Sequence, residues 1–250
     1  LTLGLLSVFF LTRPRRYALF TWFMAVSWCV LTFTLALRWI INGTIPIANG
    51  YETMLLLSWL IMIVSIATTR KLQIMTTFGL LASGFMLLVS HLGEMDPSIT
   101  PRMPVLNSPL LSVHVSIIMV SYALLSLTFV CAVAYFCTQR STKTNIVQIN
   151  SQLTTLSQIF LYPAITTLGL GIFIGAIWAN ISWGNYWGWD PKETWALITF
   201  MIYAIPLHFQ SLPKFRKPNI YHLFMLIAFL SILMTYFGVN YILGGMHSYA

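Results

Sequence analysis

The stretch LLSVHVSIIMVSYALLSLTFVCAVAYFCT, residues 110–138, contains no Asp, Glu, Lys or Arg. A transmembrane helix needs about 20 consecutive, mostly apolar residues, so this run is long enough to cross a bilayer. The whole 250-residue chain shares its character, because 58% of the residues are hydrophobic and 7% are charged. A soluble domain typically carries about 25% charged residues. The sequence therefore predicts a protein that is surrounded largely by lipid.

Apolar segments of similar length recur on both sides of this run. Backbone groups inside a membrane must be satisfied within their own segment, which favours helices. We therefore predict an all-α fold, a polytopic transmembrane helical bundle that forms a single domain over residues 1–250. Its seven complete spans are predicted at residues 17–41, 52–69, 73–91, 110–138, 158–182, 194–210 and 220–243. The first apolar run, residues 1–12, is too short to cross, and we interpret it as the tail of a truncated N-terminal helix that begins upstream.

The distribution of charge predicts the orientation of the bundle. The net charge is +8, with 13 Lys and Arg, which in a soluble protein would suggest a nucleic-acid partner. Here most basic residues lie in alternate loops, whereas Arg38, Arg102 and Lys192 share the opposite side with all five acidic residues. Short loops rich in Lys and Arg stay in the cytoplasm. The loops 42–51, 92–109 and 183–193 and the C-terminal end are therefore predicted to face outward, and no nucleic-acid partner is expected.

One outward-facing segment, residues 178–195, is unusually rich in tryptophan, and we call it the Trp loop. It contains WGNYWGWDPKETW, residues 183–195, with four of the nine tryptophans. A belt of aromatic residues at the membrane surface is the alternative interpretation. A belt, however, requires neither Gly184 and Gly188 between the rings nor an Asp-Pro-Lys-Glu sequence.

That sequence is typical of a helix start, with Asp190 as the N-cap, Pro at the first helical position and Glu193 in the first turn. The loop is thus predicted to form an aromatic platform that ends in a helix N-terminus. Such a platform suits a flat apolar macrocycle with anionic groups, and Lys192 is well placed to meet one of them. Gly171 and Gly175 form a GxxxG pattern in the preceding span, which indicates close helix contact.

The sequence WGNYWGWDPKETWALITF resembles the WWD signature of the CcsA/ResC family of system II cytochrome c biogenesis. The resemblance extends to NGYETMLLLSW at 49–59, HVS at 114–116, LH at 207–208, and GVN and GGMHSY between 238 and 249. It covers nearly the whole chain from about residue 17 onward. The chain has no CxxCH sequence, so it is not itself a c-type cytochrome.

The resemblance implies that haem b is held at the outer face by two histidines that flank the WWD loop. His114, near the outer end of the fourth span, and His247, just outside the last span, lie on the predicted face of the Trp loop and are the expected axial ligands. The other residues expected to bind haem are Trp183, Trp187, Trp189, Asp190 and Trp195.

The remaining histidines have different expectations. The resemblance implies that His208 is one ligand of a second, intramembrane haem, with the other ligand supplied by a CcsB/ResB-like portion, separate or fused upstream. An interfacial histidine near Lys214 is the alternative. We interpret His222 as an interfacial side chain and His91 as a polar group at a helix end. Glu52 either helps to shape a haem vestibule or places charge at a helix N-terminus.

The function implied is haem handling or export, with presentation of haem for covalent attachment to the CxxCH thiols of apocytochrome c. The chain would then be a component of a cytochrome c synthase that forms thioether bonds. A haem transporter or delivery module without synthase activity, or a structural subunit of a larger complex, remains an alternative. The expected partners are apocytochrome c, a CcsB/ResB-like membrane protein and a thiol-reducing thioredoxin-like protein. The expected location is a bacterial inner membrane, with plastids as the other possible source.

Overall fold

The structure of the chain is a computed structural model, and its regular elements are helices. It describes residues 1–8, 14–43, 45–47, 49–70, 72–92, 97–98, 108–139 and 146–243, and these contain no β-strand. The chain forms two compact units, Leu1–Met103 and Pro104–Ala250, which are described separately below. The all-α prediction is confirmed for the described residues.

The first unit contains four described helices: α1 at Thr2–Val8, α2 at Pro14–Asn42, α3 at Gly50–Thr69 and α4 at Ile74–Leu92. Its core consists of apolar side chains from α2, α3 and α4, namely Phe20, Met24, Leu31, Leu35, Leu55, Met62 and Leu80. Trp28 stacks on Trp59 with 5.6 Å between ring centroids, and Trp59 Nε1 donates to Thr32 Oγ1 at 2.7 Å. Aromatic packing and an interhelical hydrogen bond thus join α2 to α3, as is typical where lipid supplies no hydrophobic driving force between helices.

The second unit contains the four remaining α-helices and their short extensions. The helices are α5 at Pro109–Gln139, α6 at Ile146–Trp183, α7 at Pro191–Ala204 and α8 at Pro218–Leu233. A 3₁₀ turn at Ile205–His208 follows α7, and a second lies at Pro213–Arg216. A π-helical segment, Met234–Leu243, continues α8.

Helix α6 begins earlier than the predicted span at residue 158. The segment 146–157 mixes Gln, Asn, Ser and Thr with apolar residues, which lowers its hydropathy. The structure nevertheless buries Leu153, Leu156 and Ser157 on one side of the helix. Burial of one face thus extends the helix beyond its apolar part.

Six described helices are long and apolar enough to cross a membrane. They are Ala18–Asn42, Gly50–Thr69, Ile74–His91, Pro109–Gln139, Val147–Trp183 and Pro218–Asn240. The predicted count of seven complete spans plus a truncated one is not confirmed. The span predicted at 194–210 corresponds to α7, which has 14 residues where a crossing helix needs about 20. It passes into a 3₁₀ turn at Pro206, because proline cannot donate the next helical hydrogen bond. The chain is thus a multi-pass membrane protein.

Candidate functional site

The Trp loop leaves α6 through a glycine-dependent turn. Helix α6 ends at Trp183, and the next residue, Gly184, has a φ of +79°. The Gly184 amide donates to Asn180 O at 2.9 Å. A residue in the left-handed region that returns a hydrogen bond to the last turn is a common helix C-cap, and glycine adopts it without steric cost.

The loop enters α7 through two carboxylates. Asp190 is the N-cap, and its Oδ2 accepts from the Lys192 amide at 3.1 Å. Glu193 Oε2 accepts from the Asp190 amide at 3.3 Å, which completes a capping box. The predicted helix start is therefore confirmed. Glu193 Oε2 also accepts from the Gly188 amide at 2.8 Å, so this side chain fixes part of the loop as well as the helix.

The residue between those two amides is Trp189, which has an unusual backbone conformation. Its φ is +56°, and it is the one described residue other than glycine with a positive φ. For a residue with a Cβ this conformation costs roughly 1–2 kcal/mol. Glu193 bonds the amides on both sides, and the Trp189 side chain is 71% exposed. The loop thus holds Trp189 in a strained backbone conformation with its indole ring exposed.

The other aromatic rings of the loop form two edge-on contacts, one of which includes this exposed ring. Trp187 lies edge-on to Trp189 with 5.8 Å between centroids, and Trp183 lies edge-on to the buried Trp178 at 4.8 Å. Trp187 Nε1 is buried and has no hydrogen-bond acceptor among the described residues. A buried N–H group without an acceptor is rare in proteins, so this donor suits a ligand that carries an acceptor oxygen.

Helix α7 is held to α8 and its π-helical extension just behind the loop. The hydroxyl oxygens of Thr199 and Thr235 lie 2.8 Å apart, and Thr235 Oγ1 lies 3.2 Å from Trp195 O. Thr199 and Thr235 are buried, whereas Trp195 is half-buried. These polar contacts position the first three turns of α7, and with them the end of the Trp loop.

Lys192 supplies a cation beside the loop. It lies in the first turn of α7, outside the six candidate spans. Burial lowers its pKa to about 8, while Asp190 acts in the opposite direction. A lysine with this pKa is partly deprotonated in weakly alkaline solution, and an added carboxylate nearby would favour its charged form.

His114 is half-buried in the second turn of α5 and contacts the GxxxG pattern of α6. Its Nδ1 lies 2.7 Å from Gly171 O. A carbonyl oxygen can only accept, so Nδ1 carries the proton. Gly175, which also contacts the ring, precedes Trp183 by eight residues, or about 12 Å along the helix. The structure therefore brings His114 against the helix that leads into the Trp loop.

The remaining histidines lie on other elements or outside the described residues. His208 ends the 3₁₀ turn that follows α7 and is exposed, at the far end of α7 from the Trp loop. His91 is exposed in the last turn of α4. His247 lies outside the described residues, so its role stays a prediction.

His222 is fully buried within the protein, which its expected place among interfacial side chains did not indicate. Its ring stacks on Tyr135 with 4.2 Å between centroids, and its Nε2 lies 3.0 Å from Thr154 Oγ1. The Thr154 hydroxyl donates to Asn150 O at 2.9 Å. Its oxygen must therefore accept from His222, which places the His222 proton on Nε2. Packing of α8 against α5 and α6 buries a residue that sequence position had assigned to the membrane surface.

Glu52 has a partner that the sequence does not indicate. Arg38 Nε lies 3.3 Å from Glu52 Oε1, and the Glu52 side chain is 2% exposed. The Arg38 guanidinium also donates to Pro97 O at 2.7 Å and lies 5.0 Å from the centre of the Tyr51 ring. Arg38 and Glu52 are 14 residues apart at the facing ends of two helices, so no local pattern reveals their pairing.

Comparison with known proteins places this architecture in a family. The family model of the cytochrome C assembly protein matches residues 47–247. Protein NrfI of Wolinella succinogenes is 40% identical over 224 residues, which cover 88% of this chain and 25% of that protein. The cytochrome c biogenesis protein CcsA of Hordeum vulgare is 34% identical, with 90% of this chain and 84% of that protein covered. CcsA of Chlamydomonas reinhardtii is also 34% identical, with 90% and 67% covered.

These relatives differ in how much of their own length the chain spans. It spans a quarter of NrfI but most of the CcsA protein of Hordeum vulgare. The family match covers the Trp loop, His114 and His208 together. The chain therefore belongs to the cytochrome c assembly protein family, as a CcsA-like membrane protein with a role in cytochrome c maturation.

Proposed function

We propose that this chain binds haem b at the Trp loop and presents it for covalent attachment to the CxxCH thiols of apocytochrome c. The observation that carries the proposal is the display of Trp189, whose strained backbone is held by Glu193 on both sides. Strain is retained where the surrounding structure fixes it, and such positions cluster at functional sites. An exposed indole beside the half-buried Trp187 offers an apolar surface on which a flat macrocycle packs.

Two polar features of the loop suit the carboxylates of haem. Trp187 Nε1 is a buried donor without an acceptor among the described residues, and Lys192 is a half-buried cation. The N-terminus of α7 adds a favourable potential for anions. Stacking surface, donor and cation thus occur together in one short segment.

His114 and His247 are the proposed axial ligands of the haem iron. The proton on His114 Nδ1 leaves the lone pair of the neutral ring on Nε2, the form in which imidazole binds a metal. A hydrogen bond from the other ring nitrogen to a backbone carbonyl is the usual arrangement for a ligating histidine. This arrangement supports His114. The proposal for His247 rests on the family resemblance and on its predicted position outside the last span.

The chain contributes positioning and not reactive groups. Haem supplies the vinyl groups and apocytochrome supplies the thiols, and each S–H adds across one vinyl C=C, so that no atom leaves and no oxidant is consumed. The Trp loop would hold the macrocycle in one orientation, which raises the effective concentration of the reacting groups. The thiols must stay reduced, which is the proposed role of a thioredoxin-like partner.

His208 is proposed as half of a second, intramembrane haem site, completed by a histidine from a CcsB/ResB-like protein. Its exposure supports this role, because a ligand shared with another chain must be accessible. The proposed setting is a bacterial inner membrane with the Trp loop facing outward, as the loop charges predict.

The test is an absorption spectrum of the detergent-purified protein, co-expressed with a CcsB/ResB-like partner, for wild type, His114→Gly and His247→Gly. We expect a low-spin bis-histidine spectrum that is lost in each variant and restored by added imidazole. His91→Gly is the control, because His91 is another histidine near a helix end and has no proposed role. A spectrum that is indifferent to His114 and His247 would reject the ligand assignment.

A second assay separates attachment from delivery. The purified complex is incubated with haem and reduced apocytochrome, and thioether formation is measured by the mass gained after denaturation. A covalent product that depends on His114 supports attachment. Haem bound without any covalent product would favour a delivery module.

A further inference from the structure

The ring of His114 lies directly on the backbone of α6. A Cβ atom placed on Gly175 would lie 2.5 Å from His114 Cε1, 2.8 Å from Nδ1 and 3.2 Å from Nε2. Heavy atoms of residues elsewhere in the chain essentially never approach a Cβ within 3.0 Å. No residue larger than glycine can therefore occupy position 175 while the ring stays where it is.

Gly171 makes the same close contact one helical turn away. A Cβ atom on Gly171 would lie 2.5 Å from Ile118 Cδ1, and Ile118 follows His114 by four residues. Two side chains on one face of α5 thus rest on two glycines on one face of α6, since residues four apart are neighbours on a helix surface. Lipid-embedded helices use such small residues to bring their backbones close together.

The close approach has a chemical consequence as well as a packing one. It brings Gly171 O within 2.7 Å of His114 Nδ1, although that carbonyl lies in the interior of a helix. A carbonyl oxygen has two lone pairs and can accept a second donor. The bond selects the Nδ1-protonated ring and restrains its rotation, whereas helix packing alone would require neither.

We propose that Gly171 and Gly175 are positioning residues that fix the tautomer and the ring plane of His114 and so make Nε2 its ligating atom. The inference deepens the proposed function and rests on it for the identity of the ligand. Gly175 has no side chain and therefore leaves room for the His114 ring. The carbonyl oxygen of Gly171 accepts the hydrogen bond from Nδ1. The GxxxG pattern alone indicates a contact between helices. In the structure one of its two glycines, Gly175, packs against the His114 ring.

The protonation of the ring can be measured without haem. The full-length protein is labelled with [¹⁵N]histidine and purified in detergent, and the ring nitrogens are observed by NMR, with His114 assigned from the signal missing in His114→Asn. We expect His114 to be protonated on Nδ1 and His222, in the same spectrum, to be protonated on Nε2. A wild-type His114 protonated on Nε2 would overturn the proposal, whether or not the protein binds haem.

Gly175→Ala tests the packing step. We expect it to displace the ring, to abolish the preference for Nδ1 and to raise the Kd for haem about tenfold, which is the usual effect of losing a partner that orients a metal ligand. Gly169→Ala is the matched control on the same helix, because the nearest neighbour of its Cβ would be the Phe200 ring, at 3.2 Å. An unchanged tautomer in Gly175→Ala would contradict the proposal.

Gly171→Ala separates the acceptor from the packing contact. Its carbonyl is retained, so the double variant Gly171→Ala/Ile118→Ala, which removes the clash, should keep the Nδ1 proton and bind haem as Ile118→Ala does. If Gly175→Ala fails to fold, as judged by circular dichroism, the wild-type tautomer and this double variant still decide the question. Loss of the Nδ1 proton in the double variant would mean that the Gly171 carbonyl does not select the tautomer.

Discussion

His114 and His222 lie on helices of the same unit and face opposite chemical surroundings. His114 is half-buried and directs Nδ1–H at a backbone carbonyl. His222 is fully buried, stacks on Tyr135 and directs Nε2–H at Thr154. The two rings thus carry their protons on different nitrogens, and each nitrogen is chosen by the neighbouring acceptor.

The difference separates a ligand from a structural residue. In His114 the lone pair of the neutral ring is on Nε2, the nitrogen that we propose as the iron ligand. In His222 the Nε2–H group donates a hydrogen bond to Thr154. Neighbouring polar groups also bond to each other, since Tyr135 Oη and Gln139 Nε2 both donate to Asn219 Oδ1. Its Nδ1 is buried with no donor among the described residues. A histidine beside aromatic rings is therefore a poor predictor of haem ligation unless the proton is located.

Replacing each histidine by alanine should give opposite results, and this is the largest effect we expect. His114→Ala should lose the low-spin absorbance of the outer site completely, with little change in stability. His222→Ala should lower the free energy of unfolding by roughly 2–4 kcal/mol, as for other large buried side chains cut to alanine, and should keep its absorbance per folded molecule. Absorption spectra and thermal unfolding in detergent measure the two effects.

Asparagine and glutamine sharpen this contrast, because they mimic different ring nitrogens. His114→Asn keeps a donor near the position of Nδ1 but has no Nε2, so it should stay as stable as wild type and still lose the absorbance. His222→Gln keeps a donor near the position of Nε2 and should be more stable than His222→Ala. Equal loss of absorbance in the His114 and His222 variants would break the distinction between them.

Loss of the Glu193 carboxylate in the Trp loop should weaken haem binding less than loss of His114 does. Glu193→Ala removes the acceptor of the Gly188 and Asp190 amides, and loss of a capping interaction at a helix N-terminus costs about 1 kcal/mol. With Trp189 no longer held, we expect the Kd for haem to rise about tenfold, which corresponds to about 1.4 kcal/mol. Haem titration followed by quenching of tryptophan fluorescence measures it.

Thr194→Ala is the control for Glu193, because Thr194 is the next residue and its hydroxyl lies at 3.4 Å from Trp189 O, too far for a strong bond. Its Kd should stay within about twofold of wild type, and Glu193→Gln, which keeps one oxygen acceptor, should fall between the two. A Glu193→Ala protein with wild-type affinity would show that display of Trp189 does not matter for binding.

Features that depend on neighbouring residues in sequence could be predicted, and those that depend on distant residues could not. The apolar spans and the Asp190 cap follow from residue types within one segment. The structure has the cap and, among its described helices, six of the seven complete spans. The Arg38–Glu52 pair and the burial of His222 depend on helices that meet in space. Loop charge predicts that Arg38 lies on the outer side but gives no indication that it pairs with a buried carboxylate.

The candidate site shows the same division. The Trp loop was recognisable because its rings, glycines and cap are contiguous, whereas the bond between His114 and Gly171 joins residues 57 apart. The GxxxG pattern was visible in the sequence, but its contact with a histidine was not, because either face of α5 could have met it. Likewise, the φ of Trp189 has no sequence signal, since left-handed backbone is expected of glycine and not of tryptophan.

Lys192 gives the smallest expected effect, a dependence of haem affinity on pH. Burial lowers its pKa to about 8, so the free protein is charged there at pH 7 and largely neutral at pH 9. If the ammonium pairs with a haem carboxylate, binding favours the charged form and raises the pKa in the complex. Between those two pKa values binding takes up a proton, and affinity should fall as pH rises, by up to tenfold per pH unit.

Lys192→Arg stays charged and should bind haem with little pH dependence, whereas Lys192→Met should bind haem more weakly, with equally little pH dependence. Kd values from pH 6.5 to 9.5 in the three proteins decide the matter: a wild-type profile parallel to that of Lys192→Met would remove Lys192 from the haem site and leave Trp187 Nε1 as the polar group of the loop still to be tested.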